Sequence, residues 1–180
     1  MEGKDGREGQ GFGEPFFSFW QAQPAHPTNK VLILFVEVCV KTLVKLGRAY
    51  PWEKPKQCPK CQSVRLWGHG YVEAYFDEAA SQSVLLKRYR CPECGVVLRL
   101  RPKGYWQRIQ ARIETVRQNL LDRIEKGRWP PNSNPPRQRH WLRALKRQVR
   151  MRLGMSYAER LAEGFSELLS LGVCAVSRAV

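Results

Sequence analysis

The sequence predicts an α+β fold, and three features carry that expectation. Two C-x-x-C pairs frame β-prone stretches between residues 58 and 94, and an apolar run covers Val31 to Leu46. From Tyr105 onward the apolar positions recur at helical spacing. The architecture to expect is a small antiparallel-β zinc ribbon with an N-terminal helix and a C-terminal helical region, ending in a truncated helix-turn-helix. Four segments follow from composition: a disordered tail over residues 1–30, an apolar helix over 31–49, the ribbon over 50–104 and a basic helical region over 105–180. The tail also reads as an upstream start-site extension.

The apolar run is 16 residues long and carries Glu37, Lys41 and Lys45, which makes it short and charged for a membrane span. On a helix these charges form one narrow stripe in which Glu37 pairs with Lys41. Leu32, Phe35, Val36, Val40, Leu43 and Val44 then cover the rest of the surface. A packed helix at the core or at a contact between two copies is expected, with a buried strand as the alternative for the β-branched first half.

After Gly47, Pro51 and Pro55 forbid a continuous helix, so Tyr50 to Pro55 is a linker. Val64 to Phe76 is β-prone, interrupted at Gly68-His69-Gly70. A second β-prone stretch runs from Ser83 to Arg90, beyond a loop at Asp77 to Gln82. The alternation Val97, Leu98, Arg99, Leu100, Arg101 adds a last strand, ended by Pro102 and Gly104.

Cys58-Pro59-Lys60-Cys61 and Cys91-Pro92-Glu93-Cys94-Gly95 each let a tight turn aim two sulfurs at one ion. The 29 residues between the pairs suit two hairpin knuckles better than a single finger helix. Gln62 stands where the first knuckle would favour glycine. Cys58, Cys61, Cys91 and Cys94 therefore read as the ligands of one structural Zn2+, with iron of the same geometry and a redox or disulfide C-x-x-C as alternatives. Four thiolates leave no position for a reacting water, so the metal is expected to hold the fold and not to catalyse. His69 reads as a turn or surface residue, and Cys39 and Cys174 as small core residues.

The formal net charge is +15. Of this, residues 105–153 supply +10, from 13 basic and three acidic residues. Such a surplus points to a polyanion, nucleic acid ahead of membrane, against the plainer alternative of a solvated face. Ile109, Ile113, Val116, Leu120 and Ile124 set one helix from Tyr105 to about Lys126, closed by Gly127. Pro130, Pro131, Asn132, Asn134, Pro135 and Pro136 then break the chain. A second helix, Arg137 to Leu153, puts Trp141, Leu142, Leu145 and Val149 on one face. Its Arg137, Arg139, Arg143, Lys146, Arg147, Arg150 and Arg152, together with Arg108 and Arg112, are the residues expected to grip phosphates. Ser156 to Glu159 has the capping-box pattern for a third helix reaching about Leu171, and Gly172 with the residues after it resembles the turn of a helix-turn-helix. The first 30 residues lack the pattern of an export signal, and a reduced, cytoplasmic setting fits the unpaired thiols.

The string from Tyr50 to Cys61, then Arg65 to Tyr71, then Lys87 to Gly95 resembles the N-terminal zinc ribbon of bacterial insertion-sequence transposases and their orphan relatives. The resemblance covers Pro51 to Arg101, more loosely the helices beyond. It implies recognition of element ends in double-stranded DNA, with the same four cysteines on zinc. Such transposases add a catalytic domain of separated carboxylates, for which the 27 residues after Leu153 leave no room. A non-catalytic DNA-binding protein is the resulting expectation. An adaptor docking through its ribbon and apolar helix is the alternative, and RNA is a second choice of nucleic acid.

Overall fold

The computed structural model describes residues 31–131 and 134–177; the expected tail over 1–30, Asn132 and the last three residues of the helix-turn-helix pattern lie outside them. Its elements in chain order are β1 (Val31–Val36), α1 (Val40–Leu46), β2 (Trp67–Tyr75), β3 (Ser83–Arg90), β4 (Val97–Pro102), α2 (Ile113–Lys126), α3 (Pro135–Arg152) and α4 (Leu161–Ser170). The strands form one mixed sheet in the order β1-β4-β3-β2, so the α+β class holds.

The helix expected across the whole apolar run is corrected. Val31–Val36 is a strand lying parallel to β4, in register from Val31 opposite Val97 to Val36 opposite Pro102. Val31, Ile33 and Val36 are β-branched and stiff, and pairing with β4 satisfies their backbone while Leu34 goes into the core. Glu37 then pairs with Lys103 at 2.7 Å, not with Lys41. Helix begins only at Val40, whose side chain and that of Leu43 are buried. It stops at Gly47, which adopts φ +53°.

β2 and β3 are antiparallel, and β3 is antiparallel to β4. The Gly68-His69-Gly70 interruption does not end β2. The strand runs through it with a register shift between Gly68 and Tyr71, which is the signature of a bulge.

α2 starts at Ile113, not at Tyr105. The intervening segment is splinted across the molecule. The buried Arg101 guanidinium donates from Nη2 to the carbonyls of Trp106 (3.2 Å) and Ile109 (3.0 Å), and the Ile113 amide donates to Gly104 (2.8 Å). Tyr105 faces Phe76 edge-on at 4.7 Å and Trp106 faces Phe165 at 6.0 Å, so adjacent residues enter two different cores. A continuous helix from Tyr105 would point both rings away from those sites.

α3 is capped by Asn134, whose side-chain oxygen accepts the Arg137 amide at 3.1 Å, with prolines in its first turn where no donor is needed. The expected capping box is not used. Met155–Tyr157 is a 3-10 turn, and α4 begins at Leu161 without a side-chain cap. At its other end Gly172, at φ +68°, donates to Leu169 (2.9 Å) while Val173 donates to Leu168 (2.8 Å). That pair of hydrogen bonds is the Schellman cap of a helix end. Residues 173–177 carry no helix, so the helix-turn-helix expected there is absent from the described residues.

Three apolar clusters form among the described residues. One, with Val116, Leu120, Leu145, Val149, Phe165 and Leu168, joins α2, α3 and α4. A second, with Leu34, Leu66, Leu98 and Leu100, lies against Cys58 and Cys91. A third packs Val40 and Leu43 of α1 with Phe76, Val84, Leu86 and Tyr105. No helix among the described residues is long and apolar enough to cross a membrane.

Candidate metal centre

Each cysteine pair sits on a turn that its own backbone closes. In the first, Gln62 donates to the Cys58 carbonyl (2.7 Å) and Cys58 to the Ser63 carbonyl (2.8 Å). In the second, Gly95 donates to Cys91 (3.0 Å) and Cys91 to Val96 (2.9 Å). Gln62 and Gly95 both adopt positive φ. The second knuckle joins β3 to β4, and the sheet brings it to the first, which precedes β2.

All four sulfurs, of Cys58, Cys61, Cys91 and Cys94, lie within 4.8 Å of one another, with Cys58 to Cys94 at 3.6 Å and Cys61 to Cys91 at 3.5 Å. A tetrahedral four-thiolate ion with metal–sulfur bonds of about 2.3 Å has sulfur–sulfur edges of about 3.8 Å. The cluster therefore has the size and donor set of a structural metal site, and all six described cysteines are free of disulfides. Cys58 and Cys91 are buried and the other two are more open, so the ion would plug one edge of the second apolar cluster. Arg65 and Glu93 pair across the two knuckles at 3.3 Å. Both are largely exposed, and such a pair contributes little by itself.

The thiols differ in proton affinity. The Cys94 amide, acting against burial, pulls Cys91 down to about 7. Burial pushes Cys58 up. Cys61 is lowered by the Ser63 amide, yet desolvation and its three neighbouring thiols leave it at about 12. A cation at the centre removes this conflict by favouring the thiolate at every position.

His69 is not among the four converging groups. Cys174 is half-buried against the helical core, as expected. Cys39 is not a core residue: it is exposed at the start of α1.

The nine basic residues singled out in the sequence do not act as one set. Arg143, Lys146, Arg147 and Arg150 line a single depression on α3, with Met151 at its edge. Arg139 and Arg108 are exposed elsewhere on the helical region. Arg137 grips Asp77 through two bonds of 3.2 and 2.8 Å and lies 4.7 Å from the Trp141 ring. Arg112 pairs with Glu78 and donates to the Tyr105 hydroxyl. Arg152 donates to Gln148 at 2.8 Å. The first two thus tie helices to the loop between β2 and β3. Arg88 and Arg99 stand opposite each other on the adjacent strands β3 and β4; the alternation of β4 is legible in the sequence, but its register with β3 is not.

No family model, no curated protein and no solved structure matches the chain.

Proposed function

We propose that the chain is a non-catalytic DNA-binding protein built on a zinc ribbon, of the kind found in insertion-sequence transposases and their orphan relatives, and that it works in the cytoplasm. The observation that carries this reading is the acid-free depression of Arg143, Lys146, Arg147 and Arg150 on α3. Four cations around one concavity suit the phosphates of a nucleic-acid backbone, and arginine adds bidentate geometry. The same chemistry suits RNA. Zinc is the ion favoured for four thiolates in this geometry, in a role confined to holding the knuckles together. Residues 173–177 carry no helix, so the reading assigns α3 phosphate contacts that are weakly selective for sequence.

Neutralising Arg143, Lys146, Arg147 and Arg150 together tests the reading. None of the four is in the buried core, so circular dichroism should be unchanged. DNA affinity should fall by orders of magnitude, and the slope of log affinity against log salt should flatten by roughly 3.6 if each makes one contact. Unchanged affinity and slope in a folded variant would leave α3 a solvated face.

A second reading, an adaptor, draws on a cleft of about 630 Å³ between the sheet and α4, lined by Leu34, Trp52, Leu100, Trp106, Leu169 and Val173 among others. Salt separates the two readings, because apolar docking scarcely responds to it.

A further inference from the structure

Arg88 of β3 stands directly opposite Arg99 of β4. Like charges facing across a ladder destabilise a sheet, whereas an acid opposite an arginine would stabilise it. Here none of the ion pairs among the described residues includes either arginine. The Nε atom of each is buried without a hydrogen-bond partner. Each residue as a whole is only partly buried, although its Nε atom is enclosed. Gly70 lies beside Arg88 at the β2 bulge, where an added Cβ would be 3.8 Å from Arg88 Nη2, an ordinary van der Waals contact. On the other side β4 continues to Arg101, whose guanidinium is committed to two carbonyls and the Phe76 ring.

We propose that Arg88 and Arg99 form a binding site for a phosphate-type oxyanion on the face of the sheet, separate from the α3 depression. An oxyanion supplies what the pair lacks: negative charge between two like charges, and acceptors for their guanidinium forks. The guanidinium fork suits a tetrahedral oxyanion better than a point cation would. Burial and, next, the charge of Arg88 pull the pKa of Arg99 down, which is the direction expected for a cation awaiting a counter-charge. The phosphate comes either from a nucleic-acid backbone or from a free phosphate or monoester. The site does not depend on the α3 reading.

The test uses the metal-loaded full chain and inorganic phosphate, compared with chloride at matched ionic strength. Phosphate should shift the Nε–Hε resonances of Arg88 and Arg99 in the wild-type protein and raise its melting midpoint above the chloride control. Arg88→Gln or Arg99→Gln should weaken phosphate binding by about tenfold or more, while the fourfold α3 variant retains it. Each glutamine variant should also melt higher than wild type without phosphate, because the like-charge contact is relieved. Arginines kept only for structure would give the opposite sign. An unphosphorylated DNA duplex identifies the source: a salt slope flatter by about 0.9 in Arg99→Gln assigns a backbone phosphodiester, and an unchanged slope with intact phosphate binding assigns a free phosphate. Nε resonances that ignore phosphate overturn the site even if a glutamine variant fails to fold. Failure of the α3 variant to lose DNA overturns only the α3 reading.

Discussion

Gln62 and Gly95 occupy the same place in the two knuckles, each donating its amide to the carbonyl of the first cysteine of its pair, at φ +59° and +70°. Glycine adopts this backbone freely, whereas a side chain in the left-handed region costs about 1–2 kcal/mol. The first knuckle is therefore the strained one. Gln62→Gly should raise stability by about 1 kcal/mol, after the larger chain entropy of glycine is subtracted. The measurement is the chemical denaturation midpoint of the metal-loaded protein; a lower midpoint would show that the Gln62 side chain makes a compensating contact.

Metal loading should release protons. Burial raises Cys58, and against the Ser63 amide desolvation and the neighbouring thiols raise Cys61, so both hold their protons at neutral pH until a cation replaces them. Apparent metal affinity should rise with pH and fall in acid, since protons and metal compete for the same sulfurs. Calorimetry in buffers of different ionisation enthalpy reads the proton count, and an enthalpy independent of buffer would contradict the expectation.

Gly164 of α4 packs against Val149 of α3: an added Cβ would lie 2.9 Å from Val149 Cγ2. Gly164→Ala gains about 1 kcal/mol of helix propensity but forces overlap in a packed core, at a cost of about 1–3 kcal/mol. The net effect should be destabilising. Pairing the substitution with Val149→Ala should recover part of the loss in thermal melts, and additivity of the two changes would argue against the clash.

Asp77 and Arg137 join the loop after β2 to the first turn of α3. Both are partly exposed, so solvent limits their coupling to roughly 0.2–1 kcal/mol, towards the upper end for bidentate geometry. A double-mutant cycle with Asp77→Asn and Arg137→Gln measures it. A coupling of zero would mean that the Asp77 amide, which donates to the Gln110 carbonyl at 3.1 Å, already holds the loop without the charges.

The sequence by itself determined the parts whose cause is local. Cysteine spacing located both knuckles, since a C-x-x-C turn is closed by its own backbone. Period-two alternation placed β4, and the 3.6-residue repeat placed the interiors of α2 and α3. Tertiary structure decided what depends on a distant partner. Val31–Val36 is apolar enough for either element, and only β4 beside it makes a strand; Glu37 followed, leaving Lys41 for Lys103. Residues 105–112 stay out of α2 because Tyr105 and Trp106 serve two cores and Arg101 holds the turn between them. Gly172 marks a turn in either reading, and its hydrogen bonds back to α4 make it a helix end. The row of Arg88 and Arg99 exists only through strand register, because residues eleven apart in sequence become neighbours when two hydrogen-bonded strands align.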